Sequence, residues 1–336
     1  MITLDVIVDL QYGDSGKGKV AHFLCTKNNY THVVRYNGGA NAGHTIFHNG
    51  KKFVTHQVPV GIFYGITSVI GSGCVVDPEG LKKELHMLED AGIPTKNLLL
   101  VAENAHVVTK KHRDEDLADK KNGSTKRGIG PAYRDKYARA GTLARDTPSL
   151  KPYLVDMYEE FTGSKKNLTV LAEGAQGFGL DVDWGDYPFV TSSHCTTAGA
   201  LLNGFAPQSL RRVWGIAKVY ETRVGRTRTP FEPKQKIFEK IREYGEEYGA
   251  TTGRPRQCNW LNLQLIEQAV KANGVTDIVL SKMDVLNSVG AWKVRDGKKV
   301  TTFENSTKMK SHITGFLSGM GIPRSRVHFS ERKEGI

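Results

Sequence analysis

The chain has 336 residues, of which 39% are apolar and 24% are charged, a composition typical of a globular protein with a substantial core. No apolar run reaches about 18 residues and no signal-peptide pattern opens the chain, which argues against a membrane-spanning protein and predicts a soluble, cytoplasmic one. The formal net charge of +12 favours anionic partners. Charge alone does not choose among nucleic acid, a membrane surface and small phosphorylated molecules.

The four cysteines are scattered along the chain and form no C-x-x-C pair. A chain of this length does not depend on disulfides for its stability, so we expect all four to be reduced and mostly structural. His194 lies next to Cys195, but no second pair of residues at metal-ligand spacing accompanies them. No metal site is therefore predicted at that position.

In chain order, short apolar runs rich in β-branched residues alternate with segments of helical period. The runs predict strands at residues 6–8, 67–70, 98–101, 169–171, 212–216 and 277–280. A helix is predicted over 77–88, because Asp77 can cap it, Pro78 suits its first turn and apolar residues recur three to four apart. Residues 110–146, rich in charge and glycine, are predicted to form mobile loops between short helices.

This alternation is typical of an α/β fold, with a central and mostly parallel sheet flanked by helices. No repeat, low-complexity tract or long linker interrupts the pattern. We therefore predict one domain over residues 1–336.

A glycine-rich turn directly follows the first predicted strand. It reads Gly13-Asp14-Ser15-Gly16-Lys17-Gly18-Lys19. Glycines between a strand and a helix let backbone N–H groups approach phosphate oxygens, and the lysines supply cations. The spacing is neither G-x-x-x-x-G-K-[ST] nor G-x-G-x-x-G. Asp14 would repel phosphate in such a turn unless it binds Mg²⁺ or acts as a base.

The turn resembles the G-D-E-G-K-G-K motif of adenylosuccinate synthetases, and residues 41–45 resemble the N-A-G-H-T motif of that family. Further matches follow in family order at residues 127–133, 173–177, 187–193, 222–225, 249–254 and 282–286. The matches span almost the whole chain, which is shorter than typical bacterial or eukaryotic members and resembles archaeal and phage-encoded ones. The resemblance implies the adenylosuccinate synthetase fold with its P-loop-like phosphate-binding turn.

The resemblance also implies a reaction, the joining of L-aspartate to C6 of a 6-oxopurine nucleotide. Because O6 is a poor leaving group, it is first phosphorylated by a nucleoside triphosphate, which requires a base for the N1 proton and an acid for the phosphoryl oxygens. By resemblance Asp14 is the base and His44 the acid. Mg²⁺ would be held by Asp14 and the carbonyl of Gly43.

The resemblance assigns the other site residues by the part of the substrates that they would contact. Donor phosphates would be bound by Gly13, Ser15, Gly16, Lys17, Gly18, Lys19, Gly43, His44 and Thr45. The purine monophosphate would be bound by Asp14, Ser15, Asn41, Thr125, Gln176, Thr191, Arg254 and, from the second subunit of a homodimer, Arg139. Aspartate would be bound by Thr251, Thr252, Arg254 and Arg256, with the arginines clamping carboxylates. The donor base would be bound by Lys282, Asp284 and Ser330.

Two departures from the family pattern bear on the substrates. Ser15 replaces the glutamate of the motif, which removes a negative charge near the N1–C2 edge of the purine and provides a hydroxyl for a 2-amino group. A phage branch of the family acts on dGMP and supplies a precursor of 2-aminoadenine DNA, and its members alter this turn. We therefore predict dGMP as the substrate, with IMP as the alternative. The second departure is that residues 330–336 lack the S-T-G-P-x-R segment that closes over guanine, which leaves ATP, dATP and GTP open as donor.

A third possibility, from another functional class, is a nucleotide-binding or nucleic-acid-binding protein without catalytic activity. Joint retention of Asp14, His44, Arg254 and Arg256 argues against it, because mere binding needs neither a base nor an aspartate clamp. We expect small-molecule partners only, without nucleic acid or membrane, in the host cytoplasm if the chain is phage-encoded.

Overall fold

Strands and helices alternate along the chain, and the computed structural model describes residues 1–119, 124–227, 231–249 and 253–331. The strands in this part of the chain are β1 Ile2–Asp9, β2 His32–Arg35, β3 His44–His48, β4 Lys51–Thr55, β5 Thr67–Ile70, β6 Val75–Val76, β7 Leu99–Ala102, β8 His106–Val107, β9 Leu154–Val155, β10 Leu168–Glu173, β11 Leu210–Lys218, β12 Tyr220–Arg223, β13 Gln257–Asn262, β14 Asp277–Ser281, β15 Lys293–Asp296, β16 Lys299–Thr302 and β17 Val327–Ser330. The α-helices are α1 Lys17–Lys27, α2 Pro78–Asp90, α3 Lys110–Ala118, α4 Ile129–Tyr137, α5 Thr197–Leu201, α6 Ile237–Tyr244, α7 Leu263–Asn273, α8 Met283–Val289 and α9 Ser306–Gly319.

A nine-stranded sheet lies at the centre, in the order β17-β14-β11-β1-β10-β2-β5-β7-β9. Every neighbouring pair in it is parallel, as the sequence predicts. The middle strands are buried throughout most of their length, which explains their continuous runs of valine, leucine and isoleucine. A smaller sheet, in the order β12-β13-β15-β16, and two strand pairs complete the β structure of the described residues.

Each of the six predicted strands is present, and β5 has the predicted bounds. The predicted helix is α2, with Asp77 at its N-cap and Pro78 in its first turn. The Asp77 side chain does not cap this helix. Its carboxylate instead pairs with Arg113, 2.9 Å from Nη1, which ties the start of α2 to α3.

The charged and glycine-rich region 110–146 contains the helices α3 and α4, with residues 120–123 outside the described part. Thr109 caps α3 through a capping box with His112, and Gly128 begins α4 in the left-handed conformation. The prediction of short helices in this region is confirmed, whereas the predicted mobility of the connections stays a prediction.

All four cysteines are buried and none is in a disulfide, which confirms the prediction of reduced, structural thiols. Within the described ranges, no helix combines the length and apolar character that crossing a bilayer requires.

The carboxyl ends of the parallel strands β1, β2, β10, β11, β14 and β17 meet along one edge of the large sheet. In open parallel sheets this edge is where ligands bind, because loops and helix N-termini converge there. The glycine-rich turn follows β1, at the middle of that edge.

Candidate active site

A cavity of about 1560 Å³ opens at the carboxyl edge of the large sheet. Most of the site residues predicted from the sequence line it, namely Gly13, Asp14, Ser15, Gly16, Lys17, Gly18, Lys19, Asn41, Gly43, His44, Thr45, Thr125, Gln176, Thr191, Arg256, Lys282 and Asp284. These residues come from segments more than 200 positions apart, so the fold brings the predicted groups together around one space.

The glycine-rich turn is fixed from beneath by the buried carboxylate of Asp9, the last residue of β1. Its oxygens accept hydrogen bonds from the backbone N–H groups of Gln11, Gly13 and Ser15, at 2.9, 3.2 and 3.2 Å. Gly13, Asp14 and Gly16 all have positive φ, at 84°, 56° and 105°. The first-turn amides of α1 lack helical acceptors and remain for an anion, as a helix N-terminus requires.

The two lysines of the turn have different surroundings. Lys17 is 5% exposed, and its ammonium lies 3.1 Å from Asp9 and 2.5 Å from the carbonyl oxygen of Gln176. Lys19 is half-buried, and its ammonium donates to the Ser330 hydroxyl on β17. Burial, together with Lys282, lowers the pKa of Lys19, although Asp284 opposes this effect. Lys17 thus stabilises the turn, and Lys19 links it to Ser330 at the end of β17.

Ser15 is one of the residues that line the cavity, although it is only 1% exposed. Its hydroxyl lies 3.4 Å from Gln11 Oε1 and 3.4 Å from the Gly13 carbonyl oxygen. The hydroxyl is thus turned toward the base of the loop. Its predicted contact with a purine 2-amino group stays a prediction, and the absence of a glutamate side chain is the more direct consequence of this residue.

His44 begins β3 and is buried, with its Nδ1 3.1 Å from Nη2 of Arg35. A guanidinium only donates hydrogen bonds, so Nδ1 must accept and the ring proton lies on Nε2. Arg35 is held in turn by Glu173, 2.9 Å from Nε. Burial, with Arg35, Lys17 and His56, lowers the pKa of His44 well below its usual value. His44 is therefore a neutral ring that can offer an Nε2–H to a developing negative charge.

Asp14 and Arg256 both line the cavity and form an ion pair, with Nη2 2.8 Å from Oδ2. The other edge of the guanidinium contacts Glu247, which also accepts from Lys218 at 2.8 Å. The predicted base and one predicted aspartate ligand are thus direct partners in this structure.

Four of the predicted purine-binding residues outside the turn also line the cavity, namely Asn41, Thr125, Gln176 and Thr191. Gln176 has a φ of 56°, and its buried Oε1 has no hydrogen-bond partner in the described structure. Thr191 lies in a loop held by Arg223, whose Nη2 donates to the Phe189 carbonyl oxygen at 2.7 Å. Asn41 lines the same cavity and accepts from the Gly39 amide at 3.1 Å.

Among the residues predicted to bind the donor base, Lys282 follows β14 with a φ of 72°. Its ammonium donates to the Gly245 carbonyl oxygen at 2.8 Å, and Asp284 is exposed in the first turn of α8. Ser330 does not line the cavity itself and reaches it through Lys19.

Other predicted ligands are not brought to the cavity of this chain. Arg139 and Arg254 are exposed and are not among the described residues that line it. Thr251 and Thr252 lie outside the described residues. An exposed Arg139 on the segment after α4 agrees with a role in a second subunit's site, which stays a prediction.

For the predicted magnesium site, Asp14 and Gly43 both line the cavity, and a carboxylate and a carbonyl are the hard oxygen ligands that Mg²⁺ prefers. The side chain of Asp14 is 40% exposed, so its carboxylate can leave Arg256 and bind a metal ion instead. Asp14 and Gly43 therefore fit Mg²⁺. A separate trio, Asp181, Asp183 and His194, could also hold a metal by distance. The Asp181 oxygens, however, already accept three backbone amides, which identifies that carboxylate as part of a turn.

Sequence reasoning assigned no site role to several buried charged residues in and beneath the cavity wall. They are Asp9, Arg35, Glu173, Lys218, Arg223 and Glu247, all buried. The available signal was a charged residue at the carboxyl end of an apolar strand run, as in Asp9, Arg35, Glu173 and Lys218. A buried charge requires a partner, so such positions indicate a site.

Comparison with known proteins agrees with this geometry. The adenylosuccinate synthetase family model matches residues 6–148 and 143–315. The adenylosuccinate synthetase of Chlorobium chlorochromatii (strain CaD3) is 40% identical over 366 aligned positions, which cover 92% of this chain and 84% of that one.

Two solved structures are similar over most of the chain, which confirms the predicted fold. The fully ligated adenylosuccinate synthetase of Plasmodium falciparum has a TM-score of 0.80 and 30% identity, covering 90% of this chain and 82% of that one. The succinoaminodeoxyadenylate synthetase (PurZ) of cyanophage S-2L, bound to dGMP and dATP, has a TM-score of 0.77 and 26% identity, covering 99% and 94%.

The interpretation as a non-catalytic binding protein finds no support in these relatives. The family model matches most of this chain, and the predicted catalytic residues lie in one cavity. The chain therefore belongs to the adenylosuccinate synthetase family and is a C–N ligase.

Proposed function

We propose that this enzyme joins L-aspartate to C6 of dGMP and forms N6-succino-2-amino-2'-deoxyadenylate, a precursor of 2-aminoadenine DNA. The donor is ATP, dATP or GTP, which becomes the diphosphate and phosphate. The observation that carries the proposal is Ser15, a small buried residue at a cavity-lining position where the family motif has glutamate. The likeness to the dGMP-bound phage enzyme over nearly the full length of both chains supports it.

The reaction proceeds in two steps. Asp14 takes the N1 proton of the purine, O6 attacks the γ-phosphorus of the donor, and the nucleoside diphosphate leaves. The amine of aspartate then attacks C6, loses a proton, and phosphate departs with the former O6. The first-turn amides of α1 and the Nε2–H of His44 stabilise the phosphoryl oxygens as charge develops on them.

Magnesium belongs to the proposed site, as adenylosuccinate synthetases use this ion. Asp14 and the carbonyl of Gly43 would hold it, and when bound it neutralises phosphate charge. Arg256, now paired with Asp14, would pair with a carboxylate of aspartate instead. The site would be completed in a homodimer by Arg139 of the second subunit.

The 2-amino group of guanine is the feature that Ser15 would admit. A glutamate in this turn would place bulk and negative charge against the N1–C2 edge of the base. Because the Ser15 hydroxyl faces Gln11 and Gly13, we attribute the preference for dGMP to the missing carboxylate side chain more than to a new hydrogen bond.

The second candidate is adenylosuccinate synthesis from IMP with GTP. It is favoured by the 40% identity to a bacterial adenylosuccinate synthetase and by Lys282 and Asp284, predicted to bind the donor base, since a carboxylate there can accept hydrogen bonds from N1 and N2 of guanine.

A substrate panel tests the two candidates directly. The protein is incubated with aspartate, Mg²⁺ and either dGMP or IMP, each with ATP, dATP or GTP, and phosphate release and the succinylated product are measured. We expect dGMP to have the higher kcat/KM. Turnover of IMP without turnover of dGMP would overturn the proposal.

The role of Ser15 is tested by two substitutions. Ser15→Glu is expected to lower the ratio of kcat/KM for dGMP to that for IMP by about tenfold or more, since it restores bulk and charge next to the 2-amino group. Ser15→Ala should keep the wild-type ratio, and Ser311→Glu on the exposed face of α9 serves as the matched control. An unchanged ratio in Ser15→Glu would remove Ser15 from the explanation.

A further inference from the structure

Glu247 is a carboxylate with no exposed surface, three residues after the end of α6. Three donors converge on it. The Tyr220 hydroxyl lies 2.7 Å from Oε1, the Lys218 ammonium lies 2.8 Å from Oε2, and Nη1 of Arg256 also contacts Oε2. Burial alone would raise its pKa, but Lys218, Arg256 and Lys282 together lower it to about 2. Glu247 is therefore ionised in the folded protein.

Glu247 and Arg256 also pair through their backbones. The Arg256 amide donates to the Glu247 carbonyl oxygen at 2.9 Å, and the Gly249 amide donates to the Arg254 carbonyl oxygen at 2.8 Å. These bonds pair residues 247–249 with residues 254–256, and Tyr248 and Pro255 form an antiparallel bridge between them. Residues 250–252 lie outside the described part. Side chain and backbone contacts thus fix the position of Arg256.

Glu247 forms ion pairs with two cations, Lys218 and Arg256. Lys218 is 1% exposed and already compensates Glu247, so a second cation is not needed to bury this carboxylate. Arg256 and Lys218 both line the cavity, and it is Nη2 of Arg256 that meets Asp14 there. Its Nε is buried and has no hydrogen-bond partner in the described structure. One edge of the guanidinium is thus anchored and the other faces the substrate space.

We propose that Glu247 is a positioning residue for the aspartate site, which fixes the guanidinium of Arg256 so that the edge now paired with Asp14 is presented to a carboxylate of the incoming aspartate. This inference rests on the proposed function, because it takes aspartate as the amine donor. Asp14 serves as a place-holder for that carboxylate. When aspartate takes the Nη2 edge, Asp14 is released for its own role while Glu247 keeps the arginine in place.

The test is the separation of three Michaelis constants in Glu247→Gln. Glutamine keeps the size of the side chain but removes the charge that holds Arg256. We expect the KM for aspartate to rise by about tenfold or more, since hydrogen bonds between charged groups are stronger than neutral ones. The KM values for the purine nucleotide and the donor should stay within about twofold of wild type. Glu243→Gln, an exposed glutamate on α6, is the matched control and should change none of them.

A double-mutant cycle shows whether Glu247 acts through Arg256. In an Arg256→Lys background, Glu247→Gln should add no further rise in the KM for aspartate, because the group that it positions is already altered. Additive effects, an equal rise in all three KM values, or an unchanged KM for aspartate would each overturn the inference. Should Glu247→Gln not fold, Glu247→Asp keeps the charge on a shorter stem, and its smaller rise must again be confined to aspartate.

A second measurement needs no turnover. In spectra of protein labelled with ¹⁵N-arginine, the Arg256 side-chain signals, identified by their loss in Arg256→Lys, should show restricted rotation in wild type and free rotation in Glu247→Gln. Absence of turnover with aspartate would overturn the proposed function and leave this test standing. Unchanged Arg256 signals in Glu247→Gln would overturn the inference alone.

Discussion

Glu221 on β12 is fully buried, and only one of its carboxylate oxygens is satisfied within the described residues. Oε2 accepts from Arg295 at 2.7 Å, whereas Oε1 has no partner. Burial raises the pKa of Glu221 from 4.5 to about 7, and the nearby Arg295 and Arg223 offset only part of this effect. The folded protein therefore binds a proton at Glu221 that the unfolded chain releases between these two values.

The sign of the resulting pH dependence follows from linkage. A carboxyl group whose pKa is raised in the folded state contributes stability at low pH, and that contribution is lost as pH rises from about 4.5 to about 7. In Glu221→Gln the group is neutral at every pH. We therefore expect the free energy of unfolding of this variant, relative to wild type, to increase by on the order of 3 kcal/mol between about pH 5 and pH 8.

Urea unfolding across this pH range measures the difference, with the exposed Glu304→Gln as control. A difference between Glu221→Gln and wild type that does not vary with pH would show that Glu221 keeps its ordinary pKa.

His44 shows how a residue's chemistry is set by neighbours that are distant in sequence. Arg35 on β2 makes Nδ1 the acceptor, and Glu173 on β10 holds Arg35 in place. The N-A-G-H-T motif identifies His44 but carries no information about these partners. The choice of ring tautomer is therefore a property of two adjacent strands.

At the scale of elements, the conformation of the turn between β1 and α1 is stabilised by one buried carboxylate, that of Asp9. Asp9 accepts three backbone amides of the turn and the ammonium of Lys17. These contacts offset the cost of the positive φ angle at Asp14, a conformation that Gly13 and Gly16 adopt without steric penalty.

We expect Asp9→Asn to destabilise the protein by about 3 kcal/mol, because it leaves the buried Lys17 ammonium without its counter-charge and turns an amide donor toward other donors. Chemical denaturation gives the free energy of unfolding, and Asp114→Asn on the exposed face of α3 is the control. A loss below about 1 kcal/mol would mean that the glycines alone determine the turn conformation.

At the scale of the whole molecule, the cavity is assembled where the carboxyl ends of parallel strands meet. Arg139, however, is exposed, has a φ of 59° and lies away from the cavity of its own chain. If it serves the site of a second subunit, a site needs Asp14 from one chain and Arg139 from the other.

Mixing two inactive variants tests this arrangement. Asp14→Asn and Arg139→Ala should each have little activity alone, whereas unfolding and refolding them together should restore about a quarter of wild-type activity, since half of the dimers contain one intact site of two. No recovery on mixing, with refolded wild type as the positive control, would show that Arg139 acts within its own chain or not at all.

The sequence by itself predicted the α/β class, the positions of six strands along the chain and the helix α2, and its family resemblance supplied the candidate site residues, most of which line the cavity. The strands and the turn could be predicted because buried parallel strands produce continuous apolar runs, and because a glycine-rich turn after a strand is a local pattern. The prediction that Asp77 caps α2 through its side chain was wrong in detail, since Arg113, 36 positions later, pairs with that carboxylate.

Only the tertiary structure decided which charges meet. Arg256 pairs with Asp14, which is distant in sequence, and is anchored by Glu247. The direction of the Ser15 hydroxyl is set by its buried neighbour Gln11. An ion pair has no periodicity and its partners can lie anywhere in the chain, so local patterns do not encode it. The glycine-rich turn was predictable from the sequence, whereas the pairing of its Asp14 with Arg256 became known only from the fold.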